Sequence, residues 1–128
     1  MNKLTITELV TDSHERSKRK GWWDDCLNRL PDGSREIRYE TVVARIPEKL
    51  ALVHSEVSEA LEDYREGALA TKIQYGDKKP CGFPSELADI CIRVFDLAGA
   101  LGIDLEKEIR LKAEFNETRP VRHGGKKC

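Results

Sequence analysis

The chain has 128 residues, 35% of them charged, with a formal net charge of -1. That length suits one domain with one core, and the mixed, nearly balanced charge excludes both the basic field that draws nucleic acid and the acidic excess of a disordered chain. No apolar run approaches the roughly 18 residues of a membrane span, and the opening MNKLTITELV lacks the apolar heart of a signal peptide, so the reading is a cytoplasmic protein with neither nucleic acid nor membrane as partner.

Residues 5 to 20 favour helix, but the apolar face is thin: Ile6, Leu9 and Val10 give way to His14, Ser17 and the basic SKRK run. Such a helix packs at one end only. Gly21 stops it, and the chain's two tryptophans, Trp22 and Trp23, follow at once. Each could anchor a core or offer a flat platform to a ligand; composition favours core for one and leaves the other open. Residues 24–45 contain the turn signal LPDGS amid mixed polar residues and read as a loop or insertion.

Pro47 suits the first turn of a helix that runs to Glu66 and ends at Gly67. Leu50, Val53, Val57, Ala60, Leu61 and Tyr64 share one face of it, and Glu56, Glu59 and Asp63 the adjoining one. Residues 68–83, which carry YGDKKPCGF, then make a connection rich in turn formers, with Lys72, Lys78 and Lys79 on it as solvated charges,. Pro84 and Ser85 begin the next helix, Ser85 as its N-cap. Leu87, Ile90, Cys91, Val94, Leu97, Ala98 and Leu101 form a broad inward arc bordered by Glu86, Asp89 and Arg93, with Asp96 just beyond. Gly102 ends this helix and Asp104 caps a last one from Leu105 to about Thr118. No alternating strand pattern persists anywhere. The expected fold is all-α, a four-helix bundle-like single domain spanning residues 1–128, with a basic tail at 119–128. The cysteines show no CxxC and no zinc spacing, so free thiols are expected, with Cys91 a small core residue.

Chemistry concentrates on the two middle helices. Glu56 and Glu59 stand one turn apart, as do Glu86 and Asp89, so each helix offers two carboxylates about 4.5 Å apart along its axis. Charged helix faces are commonly nothing more than solvated, but two pairs on successive helices, each bordering the apolar arc, favour a site. Four such acids stay ionised together only with cations or bound protons. Hard oxygen ligands select Mg²⁺ or Mn²⁺, and Mg²⁺ held this way takes further ligands from phosphates. A di-iron bundle would need Glu-x-x-His on two helices, and neither has it; His54 precedes Glu56 by two positions. In the last helix the inward line of Leu105 and Ile109 continues as Lys112, Asn116 and Arg119, which pair with the acids or bind phosphate. Arg122, His123, Lys126 and Lys127 follow in a glycine-containing tail, either a solubilising end or an anion contact.

With these residues together, the chain resembles the MazG-like nucleoside triphosphate pyrophosphohydrolases. KLALVHSEVSEALEDYR resembles that family's ExxE helix, GFPSELADICIRVFDLAGALGIDL its ExxD helix, and KAEFNETRPVRHGGKK the ending of one branch; HERSKRKGWW resembles that branch's opening. The position before the first glutamate, sometimes acidic in relatives, is Ser55 here. The resemblance implies Mg²⁺-dependent hydrolysis of a nucleoside triphosphate to the monophosphate and pyrophosphate, with Mn²⁺ as a substitute, in clearing unwanted nucleotides. It implies Glu56, Glu59, Glu86 and Asp89 as metal ligands, with Glu59 in preference to Glu56 as the residue that orients or deprotonates water. Lys112, Asn116 and Arg119 would then contact phosphate or sugar, and His14 with Trp22 or Trp23 would border the base. A homodimer or homotetramer is implied as well. The alternative from another class is a catalytically silent helical module that binds a nucleotide or a protein through the same acids.

Overall fold

A computed structural model describes residues 4–121. The tail residues Arg122, His123, Lys126 and Lys127 lie outside the described residues. Four helices dominate: α1 (Ile6–Arg19), α2 (Tyr39–Arg65), α3 (Phe83–Leu101) and α4 (Leu105–Glu117). Their ends follow local chemistry. Thr5 caps α1 by accepting from the Glu8 amide at 3.0 Å, and Asp104 caps α4 by accepting from Lys107 at 3.1 Å; each satisfies a donor that a helix start leaves free.

Two short antiparallel hairpins fill the connections, where the sequence promised only loop. After a 3₁₀ turn at Asp24–Cys26, β1 (Leu27–Arg29) pairs with β2 (Arg35–Ile37) across the LPDGS turn. There the Gly33 amide donates to the Leu30 carbonyl at 2.9 Å. β3 (Lys72–Ile73) pairs with β4 (Pro80–Cys81) between the two acidic helices.

The start of α2 also differs from expectation. The helix begins at Tyr39, with Arg38 still extended, and Pro47 sits in its interior instead of its first turn. An interior proline costs about 3 kcal/mol of helix stability. Offsetting it is the early turn's packing: Val42 is fully buried against Trp23, Cys26 and Ala100, with Ile37, Leu97 and Leu101 around them. The proposed cap of α3 moves too. Gly82 occupies that position, and Ser85, inside the first turn, donates instead to the Pro80 carbonyl at 3.2 Å. Only glycine fits at 82: φ is +108°, and a Cβ would stand 2.3 Å from the Ala70 carbonyl oxygen,.

α3 packs against both α1 and α2, while α4 touches mainly α1. Close approach of α1 to α3 depends on Gly99, where a Cβ would fall 2.6 Å from that of His14. The closed core therefore sits at the C-terminal end of α3. Away from it, Leu50, Val57, Leu61 and Tyr64 on α2 and Leu87 on α3 are exposed, and Cys91 is exposed instead of buried. Helical spacing aligned these side chains correctly, but α1 and α3 cover only part of the arc. No described residue of α4 is buried; its first turn is tied to α1 by the Ile6 amide donating to Glu106 at 3.0 Å.

Candidate functional site

Three carboxylates meet between α2 and α3. Ligand atoms of Glu56, Glu86 and Asp89 all lie within 4.8 Å of one another. Helix geometry explains the membership. At about 100° per residue, Asp63 lies two turns from Glu56 and only about 20° round the axis, whereas Glu59 is turned about 60° away. Glu59 is accordingly exposed and outside the cluster, while Asp63 turns toward it and keeps a buried Oδ2 that no donor reaches among the described residues.

The cluster's electrostatics are those of acids held too close. Burial, a hydrogen bond shared with Glu56 and the charges of Asp89, Glu56 and Asp63 push the Glu86 carboxyl up to about 7,. Asp89 is raised as well, by burial and by Glu56, against the opposing pull of Arg93 and Lys79. Arg93 supplies partial neutralisation: its Nε donates to Glu56 Oε1 at 2.8 Å. An orphaned buried oxygen beside three all-oxygen donors fits a hard divalent cation such as Mg²⁺ or Mn²⁺.

From this cluster a cavity of about 270 Å³ runs toward the tryptophans. α2 lines it with Lys49, Leu52 and Glu56, which recur at helical spacing, and α3 with Asp89, Ile92, Arg93, Asp96 and Leu97,. α1 contributes Ser13, Arg16, Ser17 and Lys20. One end is thus acidic, the other cationic and aromatic.

At the aromatic end the two tryptophans take opposite roles. Trp23 is completely buried, whereas Trp22 is 55% exposed. The Trp23 indole Nε1 donates to Asp96 Oδ1 at 2.8 Å, and His14 Nδ1 donates to the same oxygen at 2.9 Å. Because a carboxylate oxygen only accepts, the His14 proton resides on Nδ1 in this contact. Lys49 is only 8% exposed; its Nζ lies 4.3 Å from the centre of the Trp23 ring and 5.9 Å from that of Trp22. Arg93, bonded to Glu56, also reaches the Trp22 ring at 5.7 Å and so links that ring to the acid cluster.

The structure gathers Glu56, Asp89, Trp22 and Trp23 around one cavity, with Glu86 joined to it through the carboxylate cluster and His14 buried behind it as the support of Asp96. Lys112, Asn116 and Arg119 are not brought there. Asn116 is exposed on α4, and Lys112 and Arg119 stack on exposed Phe115 at 5.7 and 5.0 Å. Sequence reasoning assigned no role to Lys49, Asp63, Arg93 or Asp96. The available signal was the seven-residue spacing of Lys49, Glu56 and Asp63 on α2, and of Glu86, Arg93 and, from Asp89, Asp96 on α3. Comparisons of the chain with protein-family models, with curated proteins and with solved structures find no match. Among the described residues no helix is long and apolar enough to cross a membrane.

Proposed function

We propose that the chain is a Mg²⁺-dependent nucleoside triphosphate pyrophosphohydrolase of the MazG-like kind. One observation carries this reading: a single cavity is shared by two acids of an all-carboxylate cluster, an exposed tryptophan and several cationic side chains. A triphosphate with its metal suits the first end and a flat base the second.

Glu56, Glu86 and Asp89 would hold the divalent ion, with the free Asp63 oxygen beside them. Such an ion neutralises phosphate charge and lowers the pKa of a bound water. The chain's own residues do the rest. Arg93, between the acids and Trp22, meets phosphate oxygen once a ligand draws it from Glu56,. Arg16 and Lys20 attract the polyanion to the cavity, and Trp22 stacks on the base. A glutamate accepts the proton of the attacking water, Glu59 or Glu56. The half-exposed apolar side chains of α2 and α3 support a homodimer or homotetramer,, and Lys112, Asn116 and Arg119, remote from the cavity of their own chain, would contact phosphate or sugar only across such an interface.

Pyrophosphate release from a panel of nucleoside triphosphates with Mg²⁺ tests the reading. Wild type releases it, and Glu56→Gln lowers kcat/KM by about 100-fold or more, the scale of losing a preorganised charged contact. The same loss in Glu59→Gln supports its assigned role; undiminished activity removes that role. Absence of release from every triphosphate overturns the enzyme. The Arg93 to Glu56 ion pair, which occupies one of the candidate ligands, favours as second reading a silent module that binds nucleotide without turnover.

A further inference from the structure

Asp96 is placed where neither metal binding nor hydrolysis needs it. Its side chain is 16% exposed, lines the cavity, and spends one oxygen, Oδ1, on both the Trp23 indole and the His14 imidazole. A carboxylate offers about four acceptor sites, and among the described residues no donor reaches Oδ2. Two firm donors on one oxygen fix the carboxylate plane, and His14 is itself locked by the close approach at Gly99. What results is a rigid, preorganised acceptor facing the same space as the exposed Trp22.

A donor lines the same cavity. Lys49 is buried, has no carboxylate within ion-pair distance among the described residues, and makes one long contact, 3.5 Å, to the Trp22 carbonyl. An ammonium carries three protons, so Lys49 retains N–H groups for a ligand. Acceptor and donor therefore flank Trp23, at its edge and over its face.

We propose that Asp96 Oδ2 selects bases that carry an exocyclic amino group, with Lys49 taking the neighbouring ring nitrogen or carbonyl oxygen. This deepens the nucleotide reading and rests on it. Cytosine and adenine present an amino group beside a ring nitrogen acceptor; uracil and hypoxanthine put a carbonyl oxygen where the amino group stands. A carbonyl facing a fixed carboxylate oxygen leaves both without a proton to share, and a site built around a polar contact rejects the analogue that cannot make it.

Matched pairs read this directly: cytidine against uridine and adenosine against inosine triphosphates for kcat/KM, and the same pairs as monophosphates for calorimetric affinity. The pair that is bound more tightly decides. Wild type favours the amino member by about tenfold or more. Asp96→Asn keeps a carbonyl oxygen for His14 and Trp23 but places an NH₂ where Oδ2 was, so the preference is erased or reversed. Equal or keto-favouring values in wild type overturn the inference, as does a folded Asp96→Asn that keeps the original ranking. If the variant does not fold, the wild-type pairs decide alone. Monophosphate discrimination without turnover leaves the inference standing and removes the enzyme, whereas no binding of any nucleotide removes both.

Discussion

The two ends of the α2–α3 pair are built on opposite principles. At one end Trp23, Cys26 and Val42 are fully buried, and even the polar atoms there, the indole N–H and the His14 imidazole, have a partner in Asp96. At the other, Glu86 and Asp89 are driven toward protonation, Asp63 keeps an oxygen with no partner among the described residues, and the apolar side chains of α2 remain half exposed. Folding free energy is concentrated in the first end, and the second is held in an unfavourable arrangement by it. Sites that store repulsion in this way are where a ligand has most to stabilise.

The sharpest way to break the contrast is to remove the anchor of the closed end. Trp23→Ala deletes a wholly buried indole and is expected to cost about 3–5 kcal/mol, measured as a lowered urea midpoint; a loss below 1 kcal/mol would move the core elsewhere.

Next in size is the pH response of the acid end. The folded Glu86 value, about 7, lies above the ordinary 4.5. Between those values the folded state holds a proton that the unfolded chain has released, so stability is fully present below about 4.5 and declines as pH rises through 7. The expected loss in metal-free protein is on the order of 1–2 kcal/mol once solvent screening is allowed for. Thermal melts with EDTA at pH 5 and pH 8 check it. Glu86→Gln should flatten most of the slope, and Mg²⁺ should raise the melting temperature more at pH 8 than at pH 5.

The smallest effect sharpens the comparison further. Asp63→Asn removes one of the charges acting on Glu86 and should stabilise metal-free protein at pH 8 by about 0.5–1 kcal/mol, while reducing the stabilisation by Mg²⁺. A destabilised variant at pH 8 would show that Asp63 serves the fold and not the site.

Much of the helical framework was legible from local chemistry. Asp104 caps α4 and Gly102 closes α3, as their local signals predict. Local signals failed where long-range packing outweighed them. Pro47 advertised a helix start, yet burial of Val42 against Trp23 extends α2 eight residues earlier. Gly82, not Ser85, precedes α3, because the Ala70 carbonyl crowds the chain at that point. Cys91 and Leu87 follow the apolar period but face open space, since a period names a face and not its covering.

The acids Glu56, Glu86 and Asp89 were readable because spacing alone puts carboxylates on one side of a helix. That Asp63 and not Glu59 turns toward them depends on the rotation of α2 against α3. Likewise, adjacent tryptophans look equivalent in sequence. Trp23 becomes core and Trp22 stays exposed because α1, α2 and α3 close around the first, and the same closure leaves one oxygen of Asp96 without a donor among the described residues, in a cavity that a buried lysine also lines. Composition and periodicity determined the elements and their chemical faces; the packing of three helices decided which of those faces share a cavity.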